Sequence, residues 1–275
     1  MKPAPFDYAR PVTLDEAVQL AAQHGPDASY LAGGQSLIAM LNTRVATPSL
    51  LIDIGGLSNG GDISETESDV TVGCVTRQVT LEHWPALAQA LPLIAKALPW
   101  VGHVQTRSRG TICGSIAQAD PSSELPLCLA VLDGEVTLKS VRGMRRISGR
   151  AFFRGVLQTA REDDELIAEI RFPKLAVGTG TAFNEMALRH GDFAIIAVAV
   201  VARPNGMSLG IAGAGTRPEV RDWPVLEGSA LDDALNELAW SIDCQDDVHA
   251  SARYRRHLIR TLGKRTVEEA MACRS

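Results

Sequence analysis

Apolar positions recur along this chain with two different periods, and the switches between them divide it into three segments that mix helix and strand. Leu14, Ala17, Val18 and Ala21 repeat at helical spacing. They follow Thr13-Leu14-Asp15-Glu16, a capping box in which the Thr13 hydroxyl and the Glu16 carboxylate each satisfy an orphan amide. Gly25-Pro26 ends that helix. Apolar strands are expected at Ser29 to Ala32 and Leu50 to Ile54, each running into a glycine pair, Gly33-Gly34 and Gly55-Gly56. Gly55 to Asp69, rich in Gly, Ser, Asp and Glu, breaks the pattern and closes a first lobe at residues 1–57. Beyond it Val70, Val72 and Cys74 alternate with Thr71 and Gly73 as in a half-buried strand. A helix-rich stretch from Leu81 to Trp100, punctuated by Pro85, Pro92 and Pro99, leads to a loop at Arg107 to Ser115. With strands around Val136 to Val141 and Ile167 to Phe172, these make a second lobe, 58–175. In 176–275, Phe193 to Arg203 and Met207 to Ala212 form a hairpin turned at Pro204-Asn205-Gly206. Ser229 caps a helix with Leu231, Leu235 and Leu238 as its buried stripe, and a last helix covers about Ala250 to Leu262. The fold class is α+β: two α/β lobes, then a C-terminal lobe with a three-stranded antiparallel sheet and helices.

Composition narrows the function. Of 275 residues, 45% are hydrophobic and 21% charged, enough for a core that needs no disulfide or metal staple. The net charge of -5 argues against nucleic acid as a partner. Arg253, Arg255, Arg256, Arg260, Lys264 and Arg265 gather on the last predicted helix and read as a solvated or subunit-facing stripe. Cys74, Cys113, Cys128, Cys244 and Cys273 include no C-x-x-C pair, so they read as reduced thiols of a cytoplasmic protein. That spacing supplies neither an iron–sulfur cluster nor a structural metal site on this chain. The N-terminus has no secretory h-region. The longest apolar run, Phe193 to Ala202, is strand length and far short of a membrane span.

Two loops carry the candidate chemistry. Ala32-Gly33-Gly34-Gln35-Ser36 follows a strand, and Arg109-Gly110-Thr111-Ile112-Cys113-Gly114-Ser115 repeats its ingredients of glycines, a hydroxyl and an adjacent cation. Glycines let backbone amides approach a diphosphate, and a hydroxyl adds a donor. Alone the first loop is a weak signal and reads better as a plain strand-to-helix turn, and a tight turn is the alternative for the second as well. The pair, about 75 residues apart, fits one long dinucleotide lying between two lobes. Rival motifs fail: Gly213-Ala214-Gly215 meets Pro218 where a Rossmann fingerprint needs its third glycine. There is no Walker lysine loop, and no G-x-S-x-G elbow. His24, His83, His103, His190, His249 and His257 show no ligand spacing. Asp120, Glu124 and Asp133 stand near no nucleophile. The residues suit holding a cofactor, with no catalytic side chain and no metal ligand among them.

The same residues resemble a known family. Ala32-Gly33-Gly34-Gln35-Ser36-Leu37 followed by Leu50-Leu51-Ile52-Asp53-Ile54, and Arg107 to Ser115, look like the two FAD loops of the medium subunit of carbon-monoxide-dehydrogenase-type molybdenum hydroxylases, a domain shared with xanthine dehydrogenase. Pro5-Phe6-Asp7-Tyr8, Asp120 to Pro126, Gly191-Asp192-Phe193-Ala194 and Tyr254 to Leu258 match in order along the whole chain. The resemblance implies an FAD-binding fold of the PCMH type, like that of vanillyl-alcohol oxidase. FAD would lie between the first two lobes, partly covered by the third. It implies that Leu31, Ala32, Gly33, Gly34, Gln35, Ser36 and Leu37, with Thr111, Ile112, Cys113, Gly114 and Ser115, cradle the diphosphate. Glu124 takes the place of an acid that contacts the cofactor, Val101 and Ile167 touch the flavin or adenine, and Phe193 lies near the isoalloxazine.

The implied function is electron transfer: [2Fe-2S] clusters on a small subunit pass electrons to FAD on this chain after a large molybdopterin subunit oxidises substrate, in a dimer of heterotrimers. A cofactor-free scaffold subunit and a stand-alone flavoenzyme are the alternatives. Three departures stand out. Cys113 replaces the first glycine of the family's Thr-x-Gly-Gly-Asn, Ser115 replaces its asparagine, and Glu124 replaces an aspartate. If position 113 needs a positive φ, its side chain costs about 1–2 kcal/mol and crowds the diphosphate.

Overall fold

The computed structural model describes residues 2–58 and 60–274, and these carry three main sheets. In the first segment, β1 (Asp7–Ala9), α1 (Leu14–His24), β2 (Ala28–Leu31), α2 (Leu37–Thr43) and β3 (Leu50–Asp53) build a parallel sheet in the order β1-β3-β2. The capping box forms: Glu16 N–H donates to Thr13 Oγ1 at 3.2 Å, and Thr13 N–H donates back to Glu16 Oε2 at 3.3 Å. Ala17, Val18 and Ala21 pack against Leu50, Ile52 and Ile54. Leu50, Leu51 and Ile52 are all buried, without alternation, because the central parallel strand is covered on both faces.

The second segment runs β4 (Ile63–Glu65), β5 (Asp69–Gly73), α3 (Gln78–Glu82), α4 (Leu87–Ala90), α5 (Pro92–Ala97), α6 (Val104–Arg109), α7 (Ile112–Gln118) and α8 (Glu124–Val131). It continues through β6 (Glu135–Ser140), β7 (Gly143–Ser148), α9 (Gly149–Phe152), β8 (Phe153–Gly155), β9 (Gln158–Thr159) and β10 (Leu166–Pro173). Its antiparallel sheet has the order β4-β5-β10-β6-β7. Prolines keep the helices short, and Pro92 opens α5 where a missing N–H costs nothing. The expected loop from Arg107 to Ser115 is instead two helices meeting at Gly110, whose N–H closes α6 on Thr106 O at 2.7 Å.

The third segment is β11 (Gly180–Met186), β12 (Ile196–Arg203), β13 (Gly206–Ala212), β14 (Glu219–Trp223), α10 (Gly228–Ser241) and α11 (Ala252–Ala272). Its antiparallel sheet has four strands rather than three, because β14, a polar edge strand reading Glu-Val-Arg-Asp-Trp, joins β13. Arg203 pairs with Gly206, so Pro204 and Asn205 form the hairpin turn. β12 begins only at Ile196, and Phe193 lies before it, exposed. α10 starts one residue before Ser229, with Glu227 at its N-cap. α11 continues past Leu262 because Gly263 does not end it: a Cβ there would lie 2.7 Å from Leu235 Cδ2, so the glycine lets α10 approach.

β12 ties the third segment to the second. Ile196, Val198, Val200 and Ala202 face a core shared with α10 and α11, while Ala197, Ala199 and Val201 face a core shared with α8. At Gly210 a Cβ would sit 2.3 Å from Val131 Cγ2 of α8, so the sheet lies directly on that helix.

The basic residues of α11 are not one solvated stripe. Arg255 is buried and donates to the carbonyls of Gly213, Gln245 and Ala250 and to Asp247. Lys264 pairs with Asp232 and Arg265 with Glu269, while Arg256 lies over the Trp240 ring.

Candidate functional site

A cavity of about 500 Å³ opens where the three segments meet, a size ordinary for a cofactor. Its first wall follows β2. The chain turns through Gly33 and Gly34, the latter at φ +73°, before α2 begins. A Cβ on Gly33 would meet Arg109 O at 2.4 Å and Gly110 Cα at 2.8 Å, so the two candidate loops touch backbone to backbone. From Gly33 to Leu37 the consecutive N–H groups find no protein acceptor among the described residues. Backbone donors left unpaired in this way form an anion-receiving concavity.

The second wall is pinned to the first. Arg77 donates to Arg109 O, Gln78 N–H to Gly110 O at 2.9 Å and Ile112 N–H to Thr76 O at 3.0 Å. Thr111 caps α7 by accepting Gly114 N–H at 3.0 Å, which leaves its own O–H to donate. Cys113 corrects the expected strain. It lies inside α7 without a positive φ, and Sγ is directed to Gly73 O at 3.5 Å. Burial, with Cys74 and Glu169 nearby, pushes its thiol well above the ordinary range. It is a packed thiol, not an obstruction or a nucleophile.

Elsewhere the wall is set by buried polar anchors. Arg107 donates to Glu82 at 2.8 Å and to the carbonyls of Val101 and Gly102, both at 3.2 Å, which fixes the segment carrying Val101. Glu165 receives both Arg145 and the Glu162 amide. Burial opposes its ionisation, but these partners outweigh burial and hold the carboxyl below its usual range. Glu124, the first residue of α8, is 6% exposed. Burial pushes its carboxyl up to about 7; its own amide opposes the rise and Asp120 adds to it. Gln78 Oε1 is buried at the cavity with no hydrogen-bond partner.

Of the residues expected from the sequence, Ala32, Gly33, Gly34, Gln35, Ser36, Leu37, Val101, Thr111, Cys113, Gly114, Ser115, Glu124 and Ile167 line this one cavity. Leu31 and Ile112 do not. Leu31 ends β2 and accepts Ile54 N–H, and Ile112 is fully buried in the core beneath. Phe193 also borders the cavity, with Gly191 and Asp192. Tyr30, Gln78 and Arg161 line it too and were not foreseen. Arg161 Nη1 donates to the carbonyls of Glu162, Asp163 and Glu165, and no local motif signals that such a loop arginine reaches a cavity. Asp120 accepts Ser122 N–H and shapes a turn. Among the described residues no group of His, Cys, Asp and Glu is arranged to hold a metal ion, and no helix is long and apolar enough to cross a membrane.

The scaffold and its donor-lined cleft define an α+β protein that binds a dinucleotide cofactor. Comparison with known proteins makes that specific: residues 4–175 match the family described as FAD binding domain in molybdopterin dehydrogenase. The 6-hydroxypseudooxynicotine dehydrogenase complex subunit alpha of Paenarthrobacter nicotinovorans is 35% identical over 98% of this chain and 96% of its own. The carbon monoxide dehydrogenase medium chain of Afipia carboxidovorans is 34% identical over 99% of each. A solved chain of carbon monoxide dehydrogenase from Hydrogenophaga pseudoflava superposes with a TM-score of 0.95 at 30% identity, covering 100% of both chains. The chain belongs to the FAD-binding medium-subunit family of the molybdenum hydroxylases.

Proposed function

We propose that this chain is the FAD-carrying electron-transfer subunit of a heterotrimeric molybdenum hydroxylase or dehydrogenase. In this reading lobes 1–57 and 58–175 hold the cofactor and lobe 176–275 closes over it. The observation that carries the reading is the run of acceptor-less amides from Gly33 to Leu37, held against Arg109 and Gly110 just before α7 and facing one cavity. Those amides and the Thr111 hydroxyl are donors that suit a diphosphate, and the orphaned Gln78 Oε1 is an acceptor that suits a polyhydroxyl chain. Val101 and Ile167 supply apolar wall for the ring systems, while Leu31 and Ile112 support the two turns from behind.

Bound FAD would supply one- and two-electron chemistry between [2Fe-2S] clusters on a small subunit, fed by a large molybdopterin subunit that oxidises substrate, and an external acceptor. The chain's own side chains position, desolvate and exclude; none is assigned a catalytic step. The relatives' names, "complex subunit" and "medium chain", support assembly with large and small subunits, and the unpaired cysteines support a cytoplasmic setting. The test is flavin content of the purified chain by visible absorbance and acid release. About one FAD per chain is expected; a colourless chain that stays colourless after reconstitution leaves only the scaffold alternative. Co-purification with a cluster-bearing subunit separates the complex from a stand-alone flavoenzyme.

A further inference from the structure

Two buried carboxyls lie within electrostatic reach of each other, Glu185 on β11 and Glu124 at the start of α8, and the second is in the cavity wall. Glu185 pairs across the sheet with Ala197, whose face belongs to the same core as Leu125 and Leu127 of α8. Its neighbour Asn184 points the other way and donates to Thr266 and Glu269 of α11. Glu185 is 8% exposed, and neither of its oxygens has a hydrogen-bond partner. Glu124 lies within electrostatic reach of it and borders the cavity.

Among the described residues no cation bonds either carboxyl: Arg161, which borders the same cavity, donates to the carbonyls of Glu162, Asp163 and Glu165. Asp120 adds like charge from the turn before α8, and the Cys128 thiol lies within reach of Glu124 on the same helix. Lys96 of α5 donates instead to Thr181 O. Arg150 of α9 is bound to Asp222 and to Ala130 O beside the last turn of α8. Arg203, ending β12, is engaged with Ser208, and Arg221 of β14 with Glu219. After β11, His190 packs on Trp100, and His103 lies against Gly191. α7 and β13 offer only the neutral Cys113 thiol. A buried carboxylate without a partner keeps its proton rather than ionise.

We infer that Glu124, buried in the cavity wall with the unpartnered Glu185 within electrostatic reach, holds its proton when FAD is bound, so that it meets FAD as a hydrogen-bond donor and FAD binding is coupled to proton uptake. The inference rests on the reading that FAD occupies this cavity. A diphosphate brings negative charge into the space that Glu124 borders, which repels an ionised carboxyl and favours a neutral one. Burial pushes Glu124 up to about 7, and burial with Glu124 nearby pushes Glu185 up to about 9. The empty site therefore loses its first proton near neutrality, and FAD restores it.

The experiment is titration of the flavin-stripped full chain with FAD across about pH 6 to 9, followed by fluorescence quenching. It is paired with calorimetry near pH 8 in two buffers of different ionisation enthalpy. The dissociation constant is expected to be flat to about pH 7 and then to rise by up to about tenfold per pH unit, with proton uptake approaching about one per FAD. Glu124→Gln, which cannot ionise, should flatten the profile and abolish uptake. Glu185→Gln should keep both, because Glu185 is neutral over most of this range. If Glu185→Gln abolishes uptake and Glu124→Gln does not, the donor assignment is overturned. FAD binding that is flat across the range, with no proton taken up, overturns this inference and leaves the cofactor reading intact. No FAD binding at any pH overturns both.

Discussion

Gly33 is the residue on which the cavity turns. A methyl group there meets backbone atoms of Arg109 and Gly110 at 2.4 and 2.8 Å, and backbone cannot rotate away. Gly33→Ala is expected to prise the two loops apart, at a cost of about 1–3 kcal/mol in stability and with loss of most bound flavin. Urea denaturation and flavin content check the two effects separately. The cysteines make a second residue-scale prediction. Cys74, Cys113, Cys128 and Cys244 are buried and only Cys273 is exposed. Native protein should therefore release one equivalent of thionitrobenzoate from Ellman's reagent, and unfolded protein all of them. More than one fast thiol in the native state would contradict the packing of Cys113. That packing shows where the sequence misleads: the glycine replaced at 113 suggested backbone strain, yet the position is helical and its thiol is directed to Gly73 O. Only the three-dimensional course of α7 decides which way a side chain faces.

At the scale of elements, strongly periodic segments were legible and polar ones were not. The capping box, the apolar hairpin and the two glycine turns could be read because propensity and burial agree there. β7 and β14 could not: their side chains are largely polar and their edges face solvent, so no alternation marks them. The last helix runs well past the expected Leu262, and Gly263 inside it serves contact with α10. Arg255 looked like one cation in a surface cluster and proves to be the clasp between α11 and the strands, holding three carbonyls and Asp247. Arg255→Ala leaves those acceptors without their donor, and a loss of about 3 kcal/mol is expected from denaturant midpoints. Arg253→Ala, at an exposed position of the same helix, should change stability by less than about 0.5 kcal/mol.

For the molecule as a whole, the two raised carboxyls set a pH dependence of stability whose sign is fixed. Both bind protons more tightly folded than unfolded, so their contribution is full in acid and is lost as pH rises, through about 7 for Glu124 and about 9 for Glu185. Each costs about 1.4 kcal/mol per pH unit across its window. Glu185→Gln should therefore raise the melting temperature near pH 8 by several degrees, on the order of 2–4 °C per kcal/mol, and change it little near pH 5. A melting temperature that is lower at both pH values would mean Glu185 has a partner. The topology of the three sheets, and the meeting of Tyr30, Gln78 and Arg161 around one space, could not be read along the chain. Each depends on contacts between distant segments rather than on any local spacing.

The contact between Gly180 and α11 has a consequence for biosynthesis. A Cβ on Gly180 would lie 1.9 Å from Ala270 O, so the opening strand of the third sheet is seated directly on the last turn of α11. On the ribosome the first two sheets are complete once β10 has emerged. β11, with Glu185 and the Gly191 to Phe193 wall behind it, waits for a helix made far later. During that interval the nascent chain presents an open, apolar sheet face, an entry point for aggregation and for chaperones. The cavity receives its final wall only when residues 252–272 have been synthesised and have docked, which places flavin loading after translation of α11 rather than during it.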